Sequence, residues 1–412
     1  MIDFYETSTH QGKSCRVHSD CDTNVGQNDG FCDSFIGYKC STKCTTDSQC
    51  MPSDSSFTYV CRNDGRCAPN TFETVWRINQ NNESIVIPLI HAQKCQFKIK
   101  WGDNTSIQEV TDCSENLVHK YTHSGDYHVK ITGTLYGWHT SSNTNTKDQN
   151  ADKLIEVVSF GPIGLNGYSG DPNKNQFSFA NATNLTKLSQ VDIPDASLLT
   201  STKGMFLNAK SFNYPIGNWD TSNVTDMSGT FNNAQSFNQD ISRWNTSKVT
   251  TMDSMFANAY VFNQKLNTWN TSKVTNMANL FNGAKTFNQD LSNWDTSNVT
   301  NMSYMFSSAN AFDQDISNWH TSQVTNMLGL FSNAFVFNQN ISKWDTSKVT
   351  NMSYMFFNAV AFNQDISYWD ISKLTNWDQI FCNCGLSDPF KDKIQTNWNK
   401  TNNSIKDLLS CN

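Results

Sequence analysis

The chain has 412 residues and 13 cysteines, a net charge of -7 and a pI near 5.6, with 37% hydrophobic and only 16% charged residues. That length exceeds what one core serves and predicts several domains. The acidic balance, with no cluster of Lys and Arg, excludes a nucleic-acid partner, and no apolar run approaches the ~18 residues that a membrane span needs.

Residues 1–14 form an N-terminal tail. It has no apolar h-region, so a secretory signal would have been removed before Met1 or the start is incomplete. Ile2, Phe4 and Tyr5 make it a candidate strand for insertion into a neighbouring molecule.

Residues 15–70 carry eight cysteines in two quartets: Cys15, Cys21, Cys32 and Cys40, then Cys44, Cys50, Cys61 and Cys67. The spacings C-x5-C-x10-C-x7-C and C-x5-C-x10-C-x5-C lack the CxxC pairs of zinc modules, and so predict a tandem disulfide module. Each quartet allows three pairings, which sequence leaves open. The polar spacers bury no core, so cross-links must hold each unit.

From Phe72 the texture changes. "SIVIPLI", "CQFKIKW" and "YHVKITGTL" read as strands with one face buried, and "WGDN" (Trp101 to Asn104) as a turn in which Gly and Asn take positive φ. Trp101-Gly102-Asp103, then His119-x-Tyr121, Gly125, Tyr127, Val129 and Ile131, resemble a polycystin-type PKD domain. The resemblance covers about residues 72–138 and implies an Ig-like β-sandwich with Cys95 and Cys113 as its one disulfide. His119, His123 and His128 could suggest a metal site, but two of them fall within the structural pattern that the resemblance implies, so no metal is expected there.

A polar linker follows at 139–153, then degenerate opening coils at 154–204, where Phe179, Ala182 and Leu185 anticipate Phe206, Ala209 and Phe212 after a longer, 27-residue turn. Over 205–384 a unit of 25 residues repeats without slippage. Tryptophan recurs at Trp219, Trp244, Trp269, Trp294, Trp319, Trp344 and Trp369; Phe runs from Phe206 to Phe381, Ala from Ala209 to Ala359 and Met from Met227 to Met352. A fixed period of this kind means stacked units that bury their apolar side against their neighbours. The last Glu is Glu156, and the remaining 256 residues are rich in Asn, Ser, Thr, Asp and Phe, which disfavours helical repeats. The pattern therefore predicts a mainly β fold: a leucine-rich-repeat-like solenoid whose successive coils lie roughly 4.8 Å apart, turning each column into a ladder. Each buried Trp removes about 200 Å² from water, at most on the order of 5 kcal/mol.

After the last Phe of each unit stand Asn213, Asn238, Asn263, Asn288, Asp313, Asn338 and Asn363, read as a hydrogen-bonding ladder, while "WDTS" supplies a corner through side-chain bonds to nearby backbone. Another column holds Asp240, Lys265, Asp290, Asp315, Asn340 and Asp365. Adjacent Asp290 and Asp315 would repel unless hydrated or bridged by Ca²⁺. Lys265 and Asn340 interrupt that column, so the expectation is that no cofactor is held.

The consensus "MFxxAxxFNQDISxWDTSxVTNM" resembles the BspA-like leucine-rich-repeat surface proteins, which carry 25-residue repeats of the mycoplasma lipoprotein type. The resemblance implies a secreted or cell-surface binding protein with no general enzymatic activity. The chain departs from it in its cysteine-rich module and its 13 Asn-x-Ser/Thr sequons, at Asn82, Asn104, Asn181, Asn184, Asn223, Asn245, Asn270, Asn298, Asn301, Asn340, Asn351, Asn399 and Asn402.

The repeats end where Trp377 replaces Met. Residues 385–412 read as a C-terminal cap clipped by Cys411, with Cys382 and Cys384 leaving one thiol over. No nucleophile triad, HExxH, P-loop or dinucleotide turn occurs, and aspartates in repeated columns are poor catalysts, so an enzyme is not expected. The expectation is an extracellular structural subunit of a fibre, appendage or cell coat, with other copies of itself or other extracellular proteins as partners. The alternative is an adhesin or glycan receptor using exposed Tyr260, Tyr304, Tyr354, Phe335 and Phe357.

Overall fold

The computed structural model describes residues 31–33, 39–41, 59–61, 67–89, 95–114, 116–134, 137–140, 150–161, 177–189, 192–194, 199–401 and 411. Ile2, Phe4, Tyr5, Cys15, Cys21, Cys44, Cys50 and Asn402 lie outside them. In the cysteine-rich segment β1 (Phe31–Asp33) pairs antiparallel with β2 (Lys39–Ser41), and β3 (Tyr59–Cys61) with β4 (Cys67–Pro69). Cys32 is the register partner of Cys40 and Cys61 that of Cys67, so the third and fourth cysteines of both quartets occupy equivalent backbone positions.

The alternating segments after Phe72 form two sheets. β5 (Phe72–Ile78), β7 (Gln96–Lys100), β8 (Gln108–Val110), β10 (Gly125–Thr134) and β12 (Leu154–Ser159) make an antiparallel five-stranded sheet in the order β12-β5-β10-β7-β8. β6 (Glu83–Ile87) and β9 (Leu117–Tyr121) pair separately. β7 alternates exposed and buried residues as a strand with one buried face should. β5 does not: it lies between β10 and β12 and buries six of its seven residues, including Glu73. In the turn after β7, Gly102 and Asn104 take φ of 85° and 64°, and a Cβ on Gly102 would meet the His128 carbonyl oxygen at 2.6 Å.

The motif residues of this region converge on one cluster. The His119 ring stacks on Trp101 at 4.3 Å and its Nε2 lies 2.7 Å from Asp103, while the Tyr121 hydroxyl donates to the Trp101 carbonyl at 2.9 Å. His123 pairs with Thr122 and His128 with Glu73. Cys95 and Cys113 form a disulfide.

β12 joins the two halves of the molecule. It hydrogen-bonds to β5 on one edge, and on the other Glu156 makes a parallel bridge with Lys187 in the first repeat-like turn. β11 (Trp138–His139) likewise pairs in parallel with β13 (Phe177–Ser178). One continuous core therefore runs from Phe72 through Trp138, Phe160 and Phe177 to Trp398.

Beyond Leu199 the chain is a ladder of 25-residue units with little regular strand. Ser201, Asp226, Thr251, Asn276, Asn301, Asn326, Asn351 and Asn376 are linked by single-residue parallel bridges, and the rest of each unit is turns. Alternate backbone N–H groups leave the unit: those of Met252, Ser254, Phe256 and Asn258 donate to Asn276, Ala278, Leu280 and Asn282 at 2.7–3.0 Å. Those between them close turns within the unit, such as Met255 to Met252 and Ala257 to Ser254. This alternation needs left-handed backbone at two positions per unit. One is Gly204, Gly229, Ser254, Asn279, Tyr304, Gly329, Tyr354 and Gln379; the other is Asn208, Asn233, Asn258, Gly283, Ser308, Asn333, Asn358 and Asn383, with φ between 50° and 71° throughout. Such backbone explains why the expected strands contract to single bridges.

The aromatic columns stack as ladders, but not at one spacing. Ring centroids lie 5.6–5.8 Å apart from Phe206 to Phe381, 5.9–6.2 Å from Phe212 to Phe362 and 6.4–6.5 Å from Trp294 to Trp369. All exceed the roughly 4.8 Å expected of flat stacking. Units whose spacing grows across their section are fanned, with the tryptophans on the wider side. The last unit is covered by helix α1 (Asp388–Thr401), which buries Ile394 and Trp398, the latter 5.8 Å from Phe381. A helix was not expected in this tail. Its i, i+4 apolar pair is too short a signal in a polar context.

Candidate functional site

The repeated polar columns satisfy backbone. In the ladder that begins at Asn213, each Oδ1 accepts from the backbone N–H of the equivalent residue in the next unit at 2.8–3.0 Å, from Asn238 through Asn363. Gln239, Gln264, Gln289, Gln314, Gln339 and Gln364 add side-chain bonds to the same acceptors. The Trp indoles from Trp244 to Trp369 donate to the carbonyl of an Ile or Leu 28 residues earlier at 3.0–3.2 Å. Thr221, Thr246, Thr271, Thr296, Thr321 and Thr346, the Thr of each "WDTS"-type corner, donate to the next unit.

The aspartates are used in the same way. Asp240, Asp290, Asp315 and Asp365 accept the backbone N–H of the Ser two residues on, as does Asn340. In Asp290 this backbone bond and a second one from the Ser292 hydroxyl hold the carboxyl below the usual range, and Asp315 opposes them only weakly. Among the described residues no group of three or more His, Cys, Asp or Glu is placed to hold a metal.

The sequons divide by environment. Asn82, Asn104, Asn245, Asn270, Asn340 and Asn399 are exposed. Asn184 and Asn298 are exposed but donate their amide nitrogens to the Asp152 and Ser272 carbonyls at 2.7 Å. Asn181 accepts from Asn208, Asn223 from Lys248, and Asn301 and Asn351 sit half-buried in the bridged column. At the C-terminal end Cys382 is bonded to Cys411, and Cys384, in the Ala column, is unpaired with its thiol pushed up by burial.

Of the five surface aromatics singled out, Phe335 and Tyr354 are exposed, whereas Tyr260, Tyr304 and Phe357 are half-buried. Phe335 belongs to an interrupted apolar stripe: Val261 with Tyr260 at one place, and Phe335, Val336 and Val360 at another. Between them Lys285 sits over the Tyr260 ring at 4.5 Å. Tyr368, 84% exposed, carries no sequence signal of its own because the column Trp369 beside it dominates the local pattern. A second ladder was also unforeseen, in which Asn208, Asn233, Asn358 and Asn383 donate to Asn181, Asn208, Asn333 and Asn358. The Asn recurrence at that position was its signal.

A concavity lies where β5, β10 and β12 meet the first repeat-like turn. It measures about 600 Å³ and is lined by Val75, Arg77, Asp126, His128, Ile155 and Glu156 on the sheet side and by Lys187 on the other. No sequence signal marked it, because its walls come from segments 110 residues apart that are joined by β12.

Neither the curated proteins nor the solved structures contain a match to this chain. Residues 174–294, 263–343 and 317–409 each match the family described as "Mycoplasma protein of unknown function, DUF285". The matched segments overlap and together cover more than half of the chain, including every 25-residue unit described above, so the protein belongs to this repeat family.

Proposed function

We propose that the protein is an extracellular structural subunit of a surface fibre, appendage or cell coat, and that it assembles through side-to-side contacts. In this reading the repeats are a leucine-rich-repeat-like solenoid of the BspA type, residues 72–138 are a PKD-like Ig sandwich, and residues 15–70 are a disulfide module. The observation that carries it is that the Asn213, Trp and corner Thr columns hold one unit to the next, while the exposed column Thr225, Thr250, Thr275, Thr300, Thr325, Thr350 and Thr375 recurs unchanged from unit to unit. A contact made by one unit is then available to all of them, which multiplies weak lateral interactions. Both ends of the stack are covered, by the five-stranded sheet and by α1, so end-to-end stacking of open coils is not the route. The disulfides Cys95–Cys113 and Cys382–Cys411 favour an oxidising compartment. The column aspartates Asp240, Asp290, Asp315 and Asp365, each engaged by a backbone N–H, give no reason to assign catalysis.

Sedimentation velocity of the purified chain over rising concentration tests this. Species larger than a monomer should grow with concentration; a monomer at every concentration would remove the assembly reading. The exposed Phe335, Val336 and Val360 favour a second reading, adhesion to a partner through the stripe. Phe335→Lys with Val360→Lys would then abolish partner capture without changing self-association.

A further inference from the structure

We propose that the cleft between the five-stranded sheet and the first repeat-like turn binds the neutral, hydroxyl-rich face of a carbohydrate. Its volume, about 600 Å³, lies within the roughly 300–1,000 Å³ usual for small-molecule sites. On one wall the Arg77 Nε and Nη2 donate to the two Asp126 carboxylate oxygens at 2.9 and 2.8 Å, and both side chains remain about half exposed. On the other wall Lys187 lies 3.6 Å from Glu156. Between them His128 has its Nδ1 tied to the buried Glu73 at 2.7 Å, which fixes the ring while 57% of the side chain stays accessible.

The charge pattern selects the ligand class. Arg77 is neutralised by Asp126 and Lys187 by Glu156 across the cleft, so an anionic ligand would have to displace one of those carboxylates. A free ammonium would have to compete with the paired cations at Asp126 and Glu156, and Asp152, the lining carboxylate outside both pairs, is exposed to solvent, where a lone ion pair contributes little. A hydroxyl-rich neutral ligand displaces neither. The Arg77 fork uses two of its five N–H groups on Asp126, and each carboxylate keeps open lone pairs, so donors and acceptors stand side by side along both walls. Vicinal hydroxyls, each able to donate and accept, match that arrangement, and the half-buried Ile155 offers an apolar contact for the C–H face of a sugar ring. Recognition at this cleft is independent of lateral assembly, because of the residues that line it only Ser211 belongs to the 25-residue units.

The test is isothermal titration of the full chain with methyl glycosides of neutral hexoses and with neutral oligosaccharides, alongside glucuronate and glucosamine as charged controls. A neutral sugar should bind, more tightly than either charged control. Arg77→Ala and Glu156→Ala should each weaken binding about tenfold or more, the equivalent of losing one or two hydrogen bonds to charged groups. Tyr368→Ser, far along the array, should leave binding unchanged. Should Arg77→Ala fail to fold by circular dichroism, Lys187→Met on the opposite wall gives the same reading. Absence of binding to every neutral sugar, preference for a charged control, or affinity indifferent to both walls would overturn the assignment.

Discussion

The sheet region and the repeat array solve the same problem, a buried aromatic core, in opposite ways. In the sheet each aromatic has a unique partner set: Trp101 stacks on His119, receives the Tyr121 hydroxyl on its carbonyl and donates to Gln108. In the array the Phe256, Phe281 and Phe306 rings have interchangeable surroundings, each stacked on its equivalents at 5.6–5.8 Å. The first design is specified by identity at single positions, the second by period. Length can therefore vary in the array and not in the sheet.

The largest test of that contrast is excision of residues 258–307, two units in register. The shortened chain should fold cooperatively, with a calorimetric unfolding enthalpy lower by about 35 kcal/mol near 60 °C, the share expected of 50 residues. Loss of all structure would show that the units are not modular. Next in size, Trp101→Ala and Trp294→Ala should each cost about 3–5 kcal/mol in denaturant titrations. They should differ in reach: the first should expose the amides of β7, β9 and β10 to hydrogen exchange, the second those of neighbouring units alone. Asn263→Ala should cost about 1–3 kcal/mol, since it orphans the Asn288 N–H and the Gln289 amide, which lie at 2.9 and 3.0 Å.

Acid should act more gently and on both regions, since Glu83, Asp103, Glu109, Asp112 and Asp126 of the sheet region are depressed as well. Asp240, Asp290, Asp295, Asp315, Asp345 and Asp365 all have folded pKa values below the ordinary 3.8. Bonds from a Ser two residues on hold the first five down; in Asp365 such bonds, with Lys393, outweigh the opposing effect of burial. A depressed carboxylate stabilises fully above its unfolded pKa and loses that contribution as pH falls through the folded one. Array stability should thus be flat at neutral pH and fall below about pH 4, and replacing these aspartates with Asn should flatten the decline. The smallest change expected is a gain. Ser308 holds φ of 56° where another unit has Gly283, so Ser308→Gly should stabilise by about 0.5 kcal/mol.

How much of this was legible depended on whether the signal was local or periodic. The Trp, Phe, Ala and Met columns and the Asn213 ladder follow from period alone, because every copy restates the same packing requirement. The two left-handed columns were equally periodic but hidden, since Gly, Asn, Ser, Tyr and Gln all occupy them. Residues 154–159 read as an opening coil because Leu154 and Val157 have apolar spacing suited to either role; only pairing with β5 places them in the sheet. The cleft was illegible for the same reason: Arg77, Asp126 and Lys187 become neighbours through that strand and through no motif. Helix α1 was obscured by its polar composition, with Trp398 and Ile394 its two fully buried side chains.

The measurement that bears most directly on the proposed role is negative-stain electron microscopy of the native material, with and without reductant. Bundles or sheets of laterally packed particles, with any joint that depends on Cys384 opened by the reductant, are the predicted result. Dispersed single particles under both conditions would contradict it and leave the array as a monomeric display surface.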